Sequence, residues 1–247
     1  IVNFMQNNYH PTKMIVSAAG KINHDKFVEQ IANSMTNLPK GKISERIKAI
    51  YQGGEYREDK ELEQIHLVLG FEGLDFYDDD YYALKIYSAI MGAGMSSRLF
   101  QEIREKRGLV YSIHASSRSF YDTGTFQIIA GTGEKQIKEL LPVLCEELLN
   151  APKNLTEQEI EKSKTQLKSA TLMSTESTMA NAAIAVHQIF TKGKLIKIEE
   201  RIEKIQNVTK SSIEKVANKL LSYKPTIASI GPIKNLETLD KVQNRLN

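Results

Sequence analysis

The side chains of this chain that could do chemistry are few, and their spacing limits what is open to them. The histidines are His10, His24, His66, His114 and His187. A zinc site built on one helix face takes two histidines at i and i+4 with a carboxylate general base between them. No pair here has that spacing. His66 and His114 fall in apolar strand patterns and His187 in AIAVHQIF, so each reads as a packed or surface histidine. The one cysteine, Cys145, follows the apolar rhythm of LLPVLCEELL, which makes it a buried helical thiol rather than a nucleophile or ligand. The turn Gly92-Ala93-Gly94 shares only its glycines with a phosphate loop, because Gly-Lys-Ser/Thr and a leading strand are missing. Those glycines break a helix and allow close packing, and Ser96 or Ser97 can cap the next helix. The acidic run DFYDDDYY (75–82) could attract a cation, yet carboxylates just before a helix are favoured by its dipole without any metal.

The elements that must hold these residues emerge from hydrophobic periodicity. Val2, Met5 and Tyr9 share a face of a short helix that Pro11 stops. KMIVSAAG (13–20) reads as a buried strand, and a helix opens at Asn23 or Asp25 through HDKFVEQIANSMTNL. Residues 40–60 are polar and turn-rich, as a linker would be. QIHLVLGFEG then alternates as a strand, and YYALKIYSAIMG carries apolar residues at helical spacing. MGAGMSSRLFQEIREKRG breaks at its glycines and resumes as a short helix with Leu99, Phe100 and Ile103 on its apolar face. LVYSIHASS and TGTFQIIAGT meet around Asp122, Thr123 and Gly124, which predicts a hairpin. A helix over EKQIKELLPVLCEELL aligns Ile137, Leu141, Leu144 and Leu148, and Pro142 should kink it or mark its true start. Thr156 and Glu159 form a capping box for a long helix that breaks near Ser174 to Ser177 and ends at Gly193. SSIEKVANKLLS, the strand PTIASIGPI and a charged C-terminal helix complete the chain.

Composition narrows the partners. The 33 basic and 30 acidic side chains leave a net charge of +3, hence a weak field of mixed sign that does not imply nucleic acid. With 41% hydrophobic and 26% charged residues the 247-residue chain belongs among soluble globular proteins. No apolar run approaches the roughly 18 residues that cross a bilayer, and no signal-peptide pattern is present. One cysteine leaves bacterial cytoplasm, periplasm and mitochondrial matrix all open.

Two passages echo each other. Tyr9-His10-Pro11-Thr12, an apolar strand, Gly20 and Ile22 return as Tyr223-Lys224-Pro225-Thr226, an apolar strand, Gly231 and Ile233. A unit that ends both a short and a long segment points to two homologous domains, the first represented by its tail. The chain opens IVNFMQNNYHPTKM inside an apolar-periodic segment and without methionine, and so reads as one that has lost its beginning.

The stretch GAGMSSRLFQEIREKRGLVYSIHA (92–115) is very similar to the hallmark of the second domain of M16, pitrilysin-like zinc metallopeptidases, in their bacterial and mitochondrial-processing-peptidase-like branch. YDTGTFQIIAGT and NYHPTKMIVSAAGKINHDKF resemble that family at the expected places. The resemblance implies an α+β fold, an antiparallel-rich sheet packed with helices, with 1–39 the tail of a homologous first domain, 40–60 a linker and entry, and 61–247 the second domain. It implies zinc in the full-length protein, on the missing N-terminal half through an inverted His-x-x-Glu-His motif, and none in this chain. It also implies that Arg104 and Tyr111 match the substrate-facing arginine and tyrosine of such second domains. Attack on a peptide carbonyl creates an oxyanion, which a phenol donor and a fixed cation stabilise. Without the family, Arg104 is a solvated helix charge and Tyr111 a half-buried strand aromatic. Arg107 reads as a surface or structural charge.

The expected function is therefore the C-terminal portion of a zinc metalloendopeptidase that processes peptides or presequences, inactive as this fragment alone. Its partners would be the N-terminal zinc-binding half, peptide substrates and a second subunit in a homo- or heterodimer. The alternative is a non-catalytic scaffold or peptide-recognition subunit of the same family.

Overall fold

The computed structural model describes residues 1–39 and 47–247. They pack as two units, Ile1–Lys48 with Ser169–Arg201, and Ala49–Lys168 with Ile202–Asn247. In chain order the α-helices are α1 (Val2–Asn8), α2 (His24–Ser34), α3 (Tyr81–Gly92), α4 (Ile137–Asn150), α5 (Glu157–Met173), α6 (Thr178–Lys192), α7 (Ile198–Gln206), α8 (Lys210–Leu221) and α9 (Leu239–Leu246). The strands are β1 (Gly54–Asp59), β2 (Ile65–Glu72), β3 (Ser112–Ser119), β4 (Gly124–Thr132) and β5 (Thr226–Gly231).

The larger unit is built on one sheet of order β1-β5-β2-β4-β3, in which only β1 and β5 run parallel. Alternation along the strands puts Ile65, Leu67, Leu69 and Phe71 of β2, Phe126, Ile128 and Ala130 of β4, and Ile227 of β5 on the buried face. Leu84 and Tyr87 of α3, Leu140 and Leu144 of α4, Ile213 and Leu220 of α8 and Val242 of α9 belong to the same cluster. Fully burying one such side chain is worth about 1.5–3 kcal/mol, so this shared core holds the unit together. The result is the α+β arrangement with an antiparallel-rich sheet that the sequence predicts. No described helix is long and apolar enough to cross a membrane.

Several local expectations are met. β3 and β4 form the hairpin, Asn23 caps α2 by accepting from the Lys26 N–H, and a short 3₁₀ turn at Ser174–Glu176 separates α5 from α6. Gly193 ends α6 in the left-handed conformation at φ +68°. Pro142 does not mark the start of α4, which begins at Ile137. The carbonyl that Pro142 leaves without a helical donor is that of Lys138, an exposed residue, where water can replace the missing N–H.

Other expectations need correcting. The strand read over 13–20 is absent: Pro11–Lys13 is a 3₁₀ turn and 14–19 join no ladder, although Met14 has extended backbone. A strand persists only where its N–H and C=O groups find a partner, and the smaller unit has no second strand among the described residues. The echo of residues 9–22 in 223–233 is thus not matched in local structure, since Thr226 opens β5. Residues 40–46 of the expected linker lie outside the described residues, and its far end, GEYRED, is strand β1. Its charges hid it, and they are what an edge strand carries against unwanted pairing. Helix α7, in which Ile205 is buried, has no counterpart in the sequence-based expectation.

In the smaller unit α1 and α2 bury none of their residues, and Phe4, Val2 and Val28 are exposed. His10 is the exception, fully buried, with Nδ1 2.7 Å from Thr12 Oγ1.

Within the larger unit α3 and β3 approach each other closely. A Cβ placed on Gly92 would lie 1.9 Å from the Ala115 nitrogen and 2.6 Å from its Cβ. Backbone cannot yield as a side-chain tip can. Gly92→Ala should lower stability by about 3 kcal/mol or more despite alanine's better helix propensity, read as a lower urea midpoint; an unchanged midpoint would show that α3 can lift off β3.

Candidate substrate-contact site

The segment between α3 and β3 carries the residues singled out for chemistry. Gly94, at φ +82°, opens a turn in which the Ser97 hydroxyl and N–H both donate to the Gly94 carbonyl, at 2.7 and 3.2 Å. The next helix widens into a π-helical turn over Phe100–Glu105, where the Lys106 N–H donates to the Gln101 carbonyl five residues back. Leu99 and Ile103 are fully buried, and Phe100 packs half-buried against the core, as their spacing predicts. Arg104 is left at the exposed end of the turn, its side chain 40% exposed.

Gly108 then reverses the chain. At φ +62° it adopts a conformation that costs a residue with a Cβ about 1 kcal/mol or more, and it donates to the Arg104 carbonyl while Leu109 donates to that of Ile103. The buried Thr132 hydroxyl, 2.6 Å from the Leu109 carbonyl, ties the returning chain to the end of β4. The Tyr111 N–H donates to the Gly131 carbonyl at 2.8 Å, although the ladder pairs Gly131 with Ser112. Two residues facing one make a β-bulge, the device by which a strand re-aims a side chain.

These elements bring Arg104 and Tyr111 together. Arg104 Nε donates to the Tyr111 carbonyl at 3.1 Å, one Nη lies 3.2 Å from Glu105 Oε1, and the guanidinium carbon sits 4.6 Å from the centre of the Phe100 ring. Tyr111 is 61% exposed, and among the described residues its hydroxyl has no hydrogen-bond partner. The pair therefore presents a phenol and the remaining guanidinium donors to solvent from one corner, a set of donors suited to an oxygen acceptor. Arg107 is exposed and takes no part in this corner. Its charge partly offsets the burial and the repulsion from Glu102 and Glu146 that raise the Glu147 carboxyl.

Arg98, in the same motif, is a structural residue that the sequence pattern did not single out. Its Nε and Nη2 donate to the two carboxylate oxygens of Glu159 at 2.6 and 2.7 Å, and Nη2 also reaches the Asn154 carbonyl at 2.5 Å. Glu159 is simultaneously the capping-box carboxylate of α5, accepting from the Thr156 N–H and hydroxyl. No local signal pointed to the bridge, since Arg98 opens one helical stretch and Glu159 caps another 61 residues away. Burial alone would raise the Glu159 carboxyl, but hydrogen bonds from Arg98 and then Thr156 outweigh it and lower it from 4.5 to about 2.

A carboxyl lowered on folding stabilises the fold above its unfolded value and loses that contribution as pH falls through the folded one. The Glu159 contribution should therefore be whole above about pH 5 and vanish between roughly pH 4.5 and 2. With the side chain 31% exposed, it should amount to on the order of 1 kcal/mol. Urea midpoints of wild type and Glu159→Gln should differ at pH 6 and lose most of that difference by about pH 2.5. A gap that persists unchanged at pH 2.5 contradicts the bridge.

Among the described residues no three His, Cys, Asp or Glu side chains come together as a metal ion requires. Comparison with known proteins places the fold. Residues 1–167 match the family described as the peptidase M16 inactive domain. An uncharacterised zinc protease of Rickettsia felis is 35% identical over 94% of this chain and 56% of its own length. The mitochondrial-processing peptidase subunit alpha of Caenorhabditis elegans is 29% identical over 97% of this chain and 53% of its own. The crystal structure of the peptidase M16 inactive domain from Pseudomonas fluorescens superposes with a TM-score of 0.73 at 26% identity, covering 89% of this chain and 54% of that one. The chain thus spans about half the length of the curated relatives it matches. On the family match and the Rickettsia relative together, with the 92–115 motif in place, the chain belongs to the M16 peptidase family and carries its inactive domain.

Proposed function

We propose that this chain is the substrate-contacting part of a zinc metalloendopeptidase, with zinc held by a separate, homologous N-terminal half. The observation that carries this reading is the shared corner of Arg104 and Tyr111, where the Nε bond to the Tyr111 carbonyl joins the two residues and leaves the phenol and further guanidinium N–H groups uncommitted. In the same reading residues 1–39 close the first domain, 40–60 lead across, and 61–247 are the second domain. The peptide carbonyl oxygen gains negative charge as its carbon is attacked. Tyr111 donates its phenolic hydrogen to that oxygen and Arg104 offers its uncommitted N–H groups and its charge, both in position beforehand. The substrates are peptides, and the subunit partner is a zinc-carrying half or a second M16 chain, in keeping with a relative named as one subunit of a processing peptidase.

A non-catalytic recognition subunit is the second reading, favoured by the description of the matching domain as inactive. The two part on Tyr111. In the protein assembled with its zinc-carrying half, Tyr111→Phe keeps the ring and removes one donor. kcat should fall by about 10² to 10³ with little change in KM. Arg104→Ala should lower kcat/KM, Arg104→Lys should restore part of it because an ammonium lacks the planar fork, and Arg107→Ala should matter less. Wild-type turnover by Tyr111→Phe, with folding verified, supports the recognition subunit instead.

The 247-residue chain alone should hold no stoichiometric zinc. Metal analysis after dialysis that finds one tightly bound zinc per chain would place a site where the described residues form none.

A further inference from the structure

Arg104 raises a problem of position. Its side chain has four rotatable bonds and is 40% exposed, and its ion-pair partner Glu105 is 51% exposed. Such surface pairs contribute little and hold no fixed geometry. The bond from Nε to the Tyr111 carbonyl pins one edge of the guanidinium but leaves it able to swing about that bond. A second constraint is needed to fix the plane.

We infer that Phe100 is a positioning residue for Arg104: its ring face seats the guanidinium and thereby sets where the free N–H groups point, without itself meeting substrate. This rests on the reading that Arg104 acts on the peptide. The guanidinium carbon lies 4.6 Å from the ring centre, within the range of a cation–π contact. The ring is a firm seat because Phe100 packs against the core between two fully buried residues, Leu99 and Ile103. Residues 100 and 104 stand four apart in the π-helical turn, a spacing at which helical side chains share a face, and the 4.6 Å approach is the result. π-turns of this kind recur at functional sites. One contact fixes the edge and the other the face, so the guanidinium keeps neither rotation. A residue that only filled the core at position 100 would not need an aromatic face.

The substitutions that separate the two roles keep an apolar or aromatic filling while varying the ring face. Phe100→Leu keeps an apolar side chain and loses the π-face, Phe100→Tyr keeps both, and pentafluorophenylalanine at position 100 keeps shape and packing while inverting the ring's charge distribution. In the protein assembled with its zinc-carrying half, Phe100→Leu and the fluorinated ring should lower kcat/KM about five- to tenfold, and Phe100→Tyr should match wild type. Phe100→Leu added to Arg104→Ala should cause no further loss. In the 247-residue chain, hydrogen exchange at Arg104 Nε–H, followed by NMR, should quicken with either altered ring while the urea midpoint holds for the fluorinated one. Equal losses from Phe100→Leu with and without Arg104, or unchanged Nε–H exchange with the fluorinated ring, overturn the inference. If Arg104→Ala proves fully active, the proposed function fails instead, and the exchange measurement still decides whether Phe100 seats Arg104.

Discussion

The hydrogen bond from Arg104 Nε to the Tyr111 carbonyl joins the end of a helical turn to the start of a strand, and the geometry of the candidate site depends on it. It is a bond to backbone, so it fixes where residue 111 sits without consuming the phenol. For it to form, the chain must reverse within a few residues, and Gly108 supplies the left-handed step that a residue with a Cβ would resist. It also requires that β3 begin out of phase, and the two-against-one pairing of Tyr111 and Ser112 with Gly131 provides that offset. Thr132, buried at the end of β4, holds the carbonyl between these two events.

Around that corner the larger unit is stiff for ordinary reasons. The π-turn is anchored below by Leu99 and Ile103, and the turn ahead of it is tied to α5 by the two-pronged Arg98–Glu159 bridge. α3 lies against β3 closely enough that Gly92 admits no side chain, and Lys85 Nζ donates to the Ser117 carbonyl 2.7 Å away, occupying an acceptor on that strand. Lys85 has its ammonium lowered by burial. The smaller unit differs in kind. α1 and α2 bury none of their residues, and apolar side chains such as Phe4 and Val28 stay exposed.

Much of the fold was legible because its signals were local. The hairpin around Asp122 to Gly124, the capping box at Thr156 and Glu159, and the helix end at Gly193 all depend on a few neighbouring residues, and the structure has each of them. The failures came where context decides. KMIVSAAG has the composition of a strand but no ladder, and GEYRED has the composition of a loop but pairs with β5 along its whole length. The motif at 92–115 pointed to Arg104 and Tyr111, and their contact was foreseeable from the Gly108 turn between them. The bulge and the Arg98–Glu159 bridge were not, since they depend on a register and on a contact between segments far apart in sequence, and the π-turn was not because its residues have an ordinary helical pattern.

The central claim is that Arg104 and Tyr111 act together on one oxygen of the substrate, and a double-substitution cycle addresses it most directly. With kcat/KM measured for Arg104→Ala, Tyr111→Phe and the double variant in the protein assembled with its zinc-carrying half, the account predicts a combined loss well short of the product of the single losses, because groups that act as a unit are not additive. A double variant whose loss equals that product would contradict it, showing two residues that act independently.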